Sequence, residues 1–369
     1  MSTRVLVVDD SVLFRRVISD TLAGLPGVEV VGNAANGRLA MSRMAALHPD
    51  LVTLDIEMPE MSGIEVLEAM GPAGVKAGVI VLSSLTRRGG QMTVRALELG
   101  AFDFLTKPEG GDAQENLAQL RDRLLPMVRA FERRREIRTM LRGASSPSFR
   151  PAHAPIPPPR ESAIPEAPAR RLTAAGPPMV LIGVSTGGPG ALAKLLPALP
   201  ANLGAPVFIV QHMPPLFTQP LAESLNRKCA IHVKEAQDGE TALANYAYVA
   251  PGGKHMKLVP GPGGKIIVGL SDDPAENGCR PAVDYLFRSA AREFPGRSVA
   301  VILTGMGNDG TAGLRWLKRS GCVSIAQDEA SCVVFGMPKE AIAAGVVDTV
   351  APLETIAGAI VRVVREGVL

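Results

Sequence analysis

Short apolar runs separated by amphipathic stretches organise the first third of the chain. Val5–Val8, Val28–Val31, Leu51–Leu54, Val79–Leu82 and Phe102–Leu105 are each bounded by turn residues or carboxylates, as strands buried on both faces are. Between them apolar positions recur at helical spacing, as in Leu13, Val17, Ile18 and Leu22, and again from Gly63 to Met70. Five strands alternating with helices predict a doubly wound parallel sheet over residues 1–125.

The same rhythm returns over residues 179–369. Val180–Val184, Val207–Val210, Tyr248–Val249, Ile266–Val268, Val299–Leu303, Val323–Ala326 and Val346–Val347 are the candidate strands. Helical patterns such as Ala191–Leu196, Ala282–Glu293 and Ile356–Arg365 lie between them. A second, larger α/β domain is the expectation. Between the two, residues 121–142 read as a basic helix, and ten prolines then fall between Pro147 and Pro178. That density of proline excludes a helix or a central strand there, so residues 126–178 are expected to form a basic helix and an extended linker.

Composition refines this picture. The 369 residues carry a net charge of +3, yet residues 121–171 alone hold twelve arginines, no lysine and five acids. The positive charge therefore belongs to the connector, and the rest of the chain taken together is net acidic. Aromatic residues make up only 4% of the chain, which argues against base-stacking surfaces for single-stranded nucleic acid. The Arg-rich segment leaves a DNA-binding regulator as a rival reading, but the C-terminal region lacks a helix-turn-helix signature. Cys229, Cys279, Cys322 and Cys332 are too widely spaced for a zinc ribbon or a disulfide framework. With no apolar run long enough for a membrane span and no signal-peptide core, the expected location is the cytoplasm.

Carboxylates mark the strand ends of the first domain. Asp9 and Asp10 follow the first strand, and Asp55 follows the third, at the edge where open α/β sheets bind ligands. Three carboxylates gathered there repel one another unless a hard cation such as Mg²⁺ neutralises them. Asp55 is then a candidate nucleophile for an aspartyl-phosphate, with Ser83 and Lys107 at the same edge to bind phosphoryl oxygens. Each residue alone could instead be a helix cap or an ordinary loop residue.

In the second domain, Gly183-Val184-Ser185-Thr186-Gly187 fits G-x-S-x-G between an apolar strand and a helix. That setting exposes Ser185 as a nucleophile and leaves free amides to hold an oxyanion. A phosphate-cradling loop is the alternative. Of five histidines, His48 and His153 lie in the first domain and the linker, and His232 reads as structural. His212, at the end of a strand, and His255, after Ala250-Pro251-Gly252-Gly253, compete as the base. Asp309 follows another strand and is a candidate acid, although Asn308-Asp309-Gly310 also reads as a turn. The chain order of ordinary α/β-hydrolases would instead select Ser185, Asp238 or Glu240, and His255. Spacing does not choose between these sets.

Together, the carboxylates with Ser83 and Lys107 resemble a response-regulator receiver domain over residues 4–125. Ser-Thr-Gly-Gly at 185–188, Gln-His-Met at 211–213, Ala-Pro-Gly-Gly-Lys-His at 250–255 and Thr-Gly-Met-Gly-Asn-Asp-Gly at 304–310 resemble the chemotaxis protein-glutamate methylesterases, the CheB family. The receiver–linker–esterase order matches, and the linker is longer and richer in proline than expected of that family. The resemblance implies Mg²⁺ on Asp9, Asp10 and Asp55, phosphorylation of Asp55, and Ser83, Lys107 and Phe104 as groups that sense it. It also implies a Ser185–His212–Asp309 triad, with backbone amides of Thr186 and Met306 as oxyanion donors, no cofactor for the esterase chemistry, and His255 as a further active-site candidate. The implied function is a phosphorylation-regulated hydrolase of chemotaxis adaptation that demethylates glutamate γ-methyl esters on chemoreceptor cytoplasmic domains and deamidates receptor glutamines. A histidine kinase would supply the phosphoryl group, and neither nucleic acid nor a transmembrane segment is expected. The same residues would also suit a carboxylesterase of another substrate, a paralogue outside chemotaxis or a catalytically dispensable scaffold.

Overall fold

The computed structural model describes residues 2–108, 113–143, 171–174 and 176–369. Its N-terminal part alternates strand and helix: β1 (Thr3–Val8), α1 (Val12–Ala23), β2 (Val28–Ala34), α2 (Gly37–Leu47), β3 (Leu51–Asp55), α3 (Gly63–Met70), β4 (Gly78–Ser83), α4 (Arg87–Glu98), β5 (Asp103–Thr106) and α5 (Ala113–Gly143). The apolar runs are the strands. Val5, Leu6, Val7 and Val8 are fully buried, as are Leu51, Val52 and Leu54. Ser11, Asn36, Ser62 and Thr86 cap α1 to α4 by accepting a backbone N–H three residues on, which satisfies donors the helix itself cannot. The sheet order is β2-β1-β3-β4-β5, all parallel, so the strand order reverses between β1 and β3, where Asp9 and Asp55 stand.

The C-terminal part comprises β6 (Met179–Val184), α6 (Gly188–Leu195), β7 (Val207–Gln211), α7 (Thr218–Asn226), β8 (His232–Glu235), β9 (Tyr246–Val249), β10 (His255–Pro260), β11 (Ile266–Ser271), α8 (Val283–Glu293), β12 (Ser298–Ile302), α9 (Thr311–Arg319), β13 (Val323–Gln327), α10 (Met337–Ala343), β14 (Thr349–Ala351) and α11 (Leu353–Glu366). Seven strands form a parallel sheet in the order β14-β13-β12-β6-β7-β9-β8. The chain leaves central β6 toward β7 and later returns to its other side at β12, so a second reversal point lies at β6. The reading of two doubly wound parallel-sheet domains holds.

Three details differ from the sequence expectation. His232–Glu235 is the edge strand of the large sheet, and its half-exposed alternation hid it among loop residues. Ile266–Ser271 pairs antiparallel with His255–Pro260 as a separate hairpin, and lysine and proline in the partner run hid that strand from the apolar pattern. The last strand is Thr349–Ala351, while Val346 ahead of it packs into the core. α5 runs without a break through Pro126, so the expected basic helix is continuous with the last helix of the N-terminal domain. The proline-rich linker expected up to Pro178 falls largely on residues 144–170, outside the described residues.

The two parts share one hydrophobic cluster. α4 packs on α6 and α7, and Glu98 Oε1 accepts from the Ser224 hydroxyl and, at 2.7 Å, from Lys228 Nζ. The contact is close enough that a Cβ on Gly90 would come within 2.4 Å of the Leu216 carbonyl oxygen. In the second half of α5, Arg133 lies 3.7 Å from Glu329 of the C-terminal part.

Candidate functional site

Parallel register sets Ser185 beside His212. Val184 pairs with Gln211 across β6 and β7, and the His212 N–H donates to the Val184 carbonyl at 3.1 Å, so the next residue of each strand emerges at the same edge. The Ser185 backbone is tied on both sides. Its N–H donates to the Thr304 carbonyl (3.0 Å), and its carbonyl accepts from Gln211 Nε2 (3.0 Å) and the Gly188 N–H (2.8 Å). Gly305 lets the loop after β12 approach, since a Cβ there would lie 2.8 Å from Ser185 Cβ and 2.4 Å from Met337 Sδ. Among the described residues the backbone N–H groups of Thr186 and Met306 donate to no protein acceptor.

The same loop carries Asp309 back toward His212. His212 Nε2 and Asp309 Oδ2 are 2.8 Å apart. Asp309 also accepts from the N–H groups of Val283 (2.7 Å), Asp284 (3.0 Å) and Gly310 (3.0 Å) and from Asn277 Nδ2 (3.1 Å). Val283 and Asp284 open α8, so the carboxylate sits on the positive end of a helix. Burial raises the Asp309 carboxyl, but the hydrogen bond from His212 and these backbone donors outweigh it and hold its pKa below the ordinary value. Burial alone would depress the His212 imidazole; the Asp309 hydrogen bond and contact with Cys279 hold its pKa up at about 9. The Ser185 hydroxyl has no hydrogen bond to His212 in this state.

His255 stands elsewhere in the arrangement. It is fully buried, with Nε2 3.1 Å from the Pro274 carbonyl and Nδ1 accepting the Ala282 N–H at 3.2 Å, and its ring stacks on Tyr285. Both ring nitrogens are thus occupied by backbone, immediately before α8. His232 stacks on Tyr246 at the far strand of the sheet. Asp238 and Glu240, the acids of the alternative set, bind the Leu270 N–H and Lys234. Sequence reading missed Cys279, which lies against His212. The turn-rich run Asn277-Gly278-Cys279-Arg280-Pro281 was visible, but nothing in its spacing says that it folds over the strand ends.

In the N-terminal domain, one ligand oxygen each from Asp9, Asp10 and Asp55 lies within 4.8 Å of the others. Lys107 Nζ is 2.7 Å from Asp55 Oδ2 and 2.8 Å from Asp9 Oδ2. Lys107 thus reaches both Asp55 and Asp9, while Asp10 has no ion pair among the described residues. One ammonium does not neutralise three gathered carboxylates, and that all-oxygen donor set fits a hard divalent cation. Burial raises the Asp55 pKa to about 6, against the lowering effect of Lys107. Ser83 is buried and donates to the Gly89 carbonyl at 3.2 Å, one strand from Lys107, whose N–H bonds the Ser83 carbonyl.

Two residues link the sites. Asp103, at the start of β5, meets the Thr186 hydroxyl beside Ser185, and burial raises its pKa to about 6. Phe104 stacks on Phe217, the residue before α7. The N-terminal domain therefore lies across the edge that carries Ser185.

Residues 5–119 match the response regulator receiver domain model, and residues 180–360 match the CheB methylesterase model. A protein-glutamate methylesterase/protein-glutamine glutaminase of Desulfotalea psychrophila is 48% identical over 98% of both chains, and one of Bacillus subtilis is 42% identical over 98% of this chain and 99% of its own. The crystal structure of the Thermotoga maritima CheB methylesterase catalytic domain matches with a TM-score of 0.50 and 43% identity, covering 51% of this chain and all of that one. With both domain models matched in order and full-length relatives at this identity, the chain belongs to the CheB family of receiver-linked protein-glutamate methylesterases/protein-glutamine glutaminases.

Proposed function

We propose that this protein hydrolyses glutamate γ-methyl esters, and deamidates glutamines, on the cytoplasmic helices of chemoreceptors, under control of Asp55 phosphorylation. The observation that carries the reading is the His212–Asp309 pair at 2.8 Å, set one strand from Ser185 and beside two undonated backbone N–H groups. His212 Nε2 is engaged by Asp309, which leaves Nδ1 to take the Ser185 proton. Ser185 Oγ then attacks the ester carbonyl, and the N–H groups of Thr186 and Met306 stabilise the oxyanion. The proton on His212 passes to the departing methoxide, releasing methanol. Water, deprotonated by the same imidazole, cleaves the acyl-enzyme and regenerates Ser185 with free glutamate as product.

In the receiver, Asp9, Asp10 and Asp55 are suited to hold Mg²⁺, which shields the charge of an incoming phosphoryl group. Asp55 is the phosphoacceptor, with a histidine kinase as donor. Ser83 and Lys107 bind the phosphoryl oxygens, and Phe104 passes the change to Phe217. The division into a receiver (1–125), a connector (126–178) and an esterase (179–369), acting in the cytoplasm, completes the reading. No described helix is long and apolar enough to cross a membrane.

The experiment is methanol release from a glutamate-methylated receptor fragment. Ser185→Ala, folded but inactive, is the expected result; undiminished release would remove the mechanism. A nitrophenyl ester hydrolysed as well as the methylated receptor would favour a general carboxylesterase instead.

A further inference from the structure

Asp309 is held more elaborately than a hydrogen-bond partner for His212 requires. Its Oδ2 is shared between His212 Nε2 and the Val283 N–H. Its Oδ1 accepts three donors, the N–H groups of Asp284 and Gly310 and the side-chain amide of Asn277. The Asn277 amide nitrogen also lies 3.1 Å from Asp284 Oδ2, while Asp284 Oδ1 accepts the Gly313 N–H at 2.6 Å. Two buried carboxylates thus face one amide group.

Asp284 is 4% exposed and pairs with no cation among the described residues. The nearest, Arg288, pairs with Glu276 instead. Burying a carboxylate without a partner charge costs stability, so its presence asks for a role. The role follows from the chemistry of an amide. A side-chain amide that bonds one neighbour only can rotate by half a turn and present its oxygen in place of its nitrogen. An oxygen facing Asp309 Oδ1 would repel it. With an acceptor on each side, both amide hydrogens are committed and that rotation is blocked. Asn277 is itself pinned by the backbone bridge between Glu276 and Cys279, and its φ of 51° is one that asparagine adopts more readily than most residues.

We propose that Asn277 and Asp284 are positioning residues of the esterase reaction: Asp284 fixes the Asn277 amide, and the amide locks the Asp309 carboxylate in the orientation that serves His212. The inference rests on the reading of Ser185, His212 and Asp309 as the triad. The groups that face this network are His212 from the end of β7, Cys279 and Glu276 from the strap before α8, and Arg288 from α8.

The test uses the full chain, treated with an acyl phosphate and Mg²⁺, and follows methanol release from a methylated receptor fragment against substrate concentration and pH. For Asn277→Ala and the isosteric Asp284→Asn, kcat falls roughly tenfold to a hundredfold while KM stays within about twofold, since a small misplacement near the base costs turnover and not binding. Asp284→Asn also moves the acid limb of kcat/KM to lower pH, because an Asp309 carboxylate that is no longer locked in place stabilises the His212 cation less. If Asn277→Ala does not fold, Asp284→Asn, equal in size, decides alone. Unchanged kcat, or a lower kcat with an unmoved acid limb in Asp284→Asn, overturns the proposal. Ser185→Ala and Asp309→Asn run alongside: if they lose activity while Asp284→Asn does not, only this inference falls. If they keep activity, the triad itself is wrong and both fall together.

Discussion

The rings of Phe104 and Phe217 lie stacked with centroids 5.1 Å apart and planes 14° from parallel, one from the last receiver strand and one five residues after His212. Phe217 is fully buried under this contact. A stacked aromatic pair is worth about 1 kcal/mol, or roughly fivefold in the ratio of docked to undocked protein. Phe104→Ala is therefore expected to raise the esterase rate of the unphosphorylated chain several-fold and to shrink the gain from phosphorylation. An unchanged basal rate would show that this stack does not hold the domains together.

Glu98 makes the second fastening, through Ser224 and Lys228. Its carboxyl is partly buried, which raises its pKa, yet the Lys228 and Ser224 hydrogen bonds outweigh that and hold it low. Glu98→Lys should loosen the interface, seen as faster proteolysis of the connector and a higher basal rate. Glu98→Lys with Lys228→Glu should recover part of the docking. Equal behaviour of the single and double variants would exclude a direct contribution from the pair.

The His212 pKa of about 9 bears on the pH profile. A general base works as neutral imidazole, so activity of the docked chain on a small nitrophenyl ester should rise with pH through that region. Asp309→Asn removes the anion that stabilises the cation, and burial then depresses the imidazole. The midpoint should move down by more than one pH unit, and kcat should fall by a factor on the order of a thousand or more. A midpoint that stays put would mean that Asp309 does not set the His212 charge.

Gly305→Ala tests how tightly the loop after β12 must approach. The added Cβ would meet Met337 Sδ at 2.4 Å and Ser185 Cβ at 2.8 Å. One side must yield, displacing either the nucleophile or the Met306 amide. The expected result is a loss of about a hundredfold in kcat together with a lower melting temperature, since overpacking a buried position costs on the order of 1–3 kcal/mol. Near-normal turnover would show that the loop shifts without cost to the oxyanion donors.

Chelation separates the two sites. With EDTA present, an acyl phosphate should no longer stimulate the chain, because Asp9, Asp10 and Asp55 are left to repel the phosphoryl group. Hydrolysis of the nitrophenyl ester by the unphosphorylated chain should be unaffected. Loss of both would place a metal in the esterase chemistry as well.

Both parallel sheets were legible from the sequence because strands buried on two faces are written as unbroken apolar runs, Val5–Val8 and Val180–Val184 among them. The residues at their ends were legible for the same reason, since a strand end fixes which loop reaches the binding edge. His255–Pro260 was not, because a hairpin outside the main sheet carries lysines and proline that read as loop. The rivalry of His212 and His255 was also beyond spacing. His255 follows a strand too, and only its bonds to Pro274 and Ala282 show that its nitrogens are spent on backbone. No pattern in the sequence singles out Asp103 or Glu98, because their partners, Thr186 and Ser224, lie more than 80 positions away in the chain.

The placement of β5 against the Ser185 edge has a consequence for how this molecule behaves in a crowded cell. The surface that packs beside Ser185 belongs to the same polypeptide, so its local abundance is set by chain connectivity and not by expression level. Diluting the protein leaves the covered fraction as it was, and producing more of it raises covered and uncovered copies in equal proportion. Under the proposed regulation, a substrate protein competes against an occupant that never diffuses away, and phosphorylation shifts the balance between covered and uncovered copies without changing that occupant's supply.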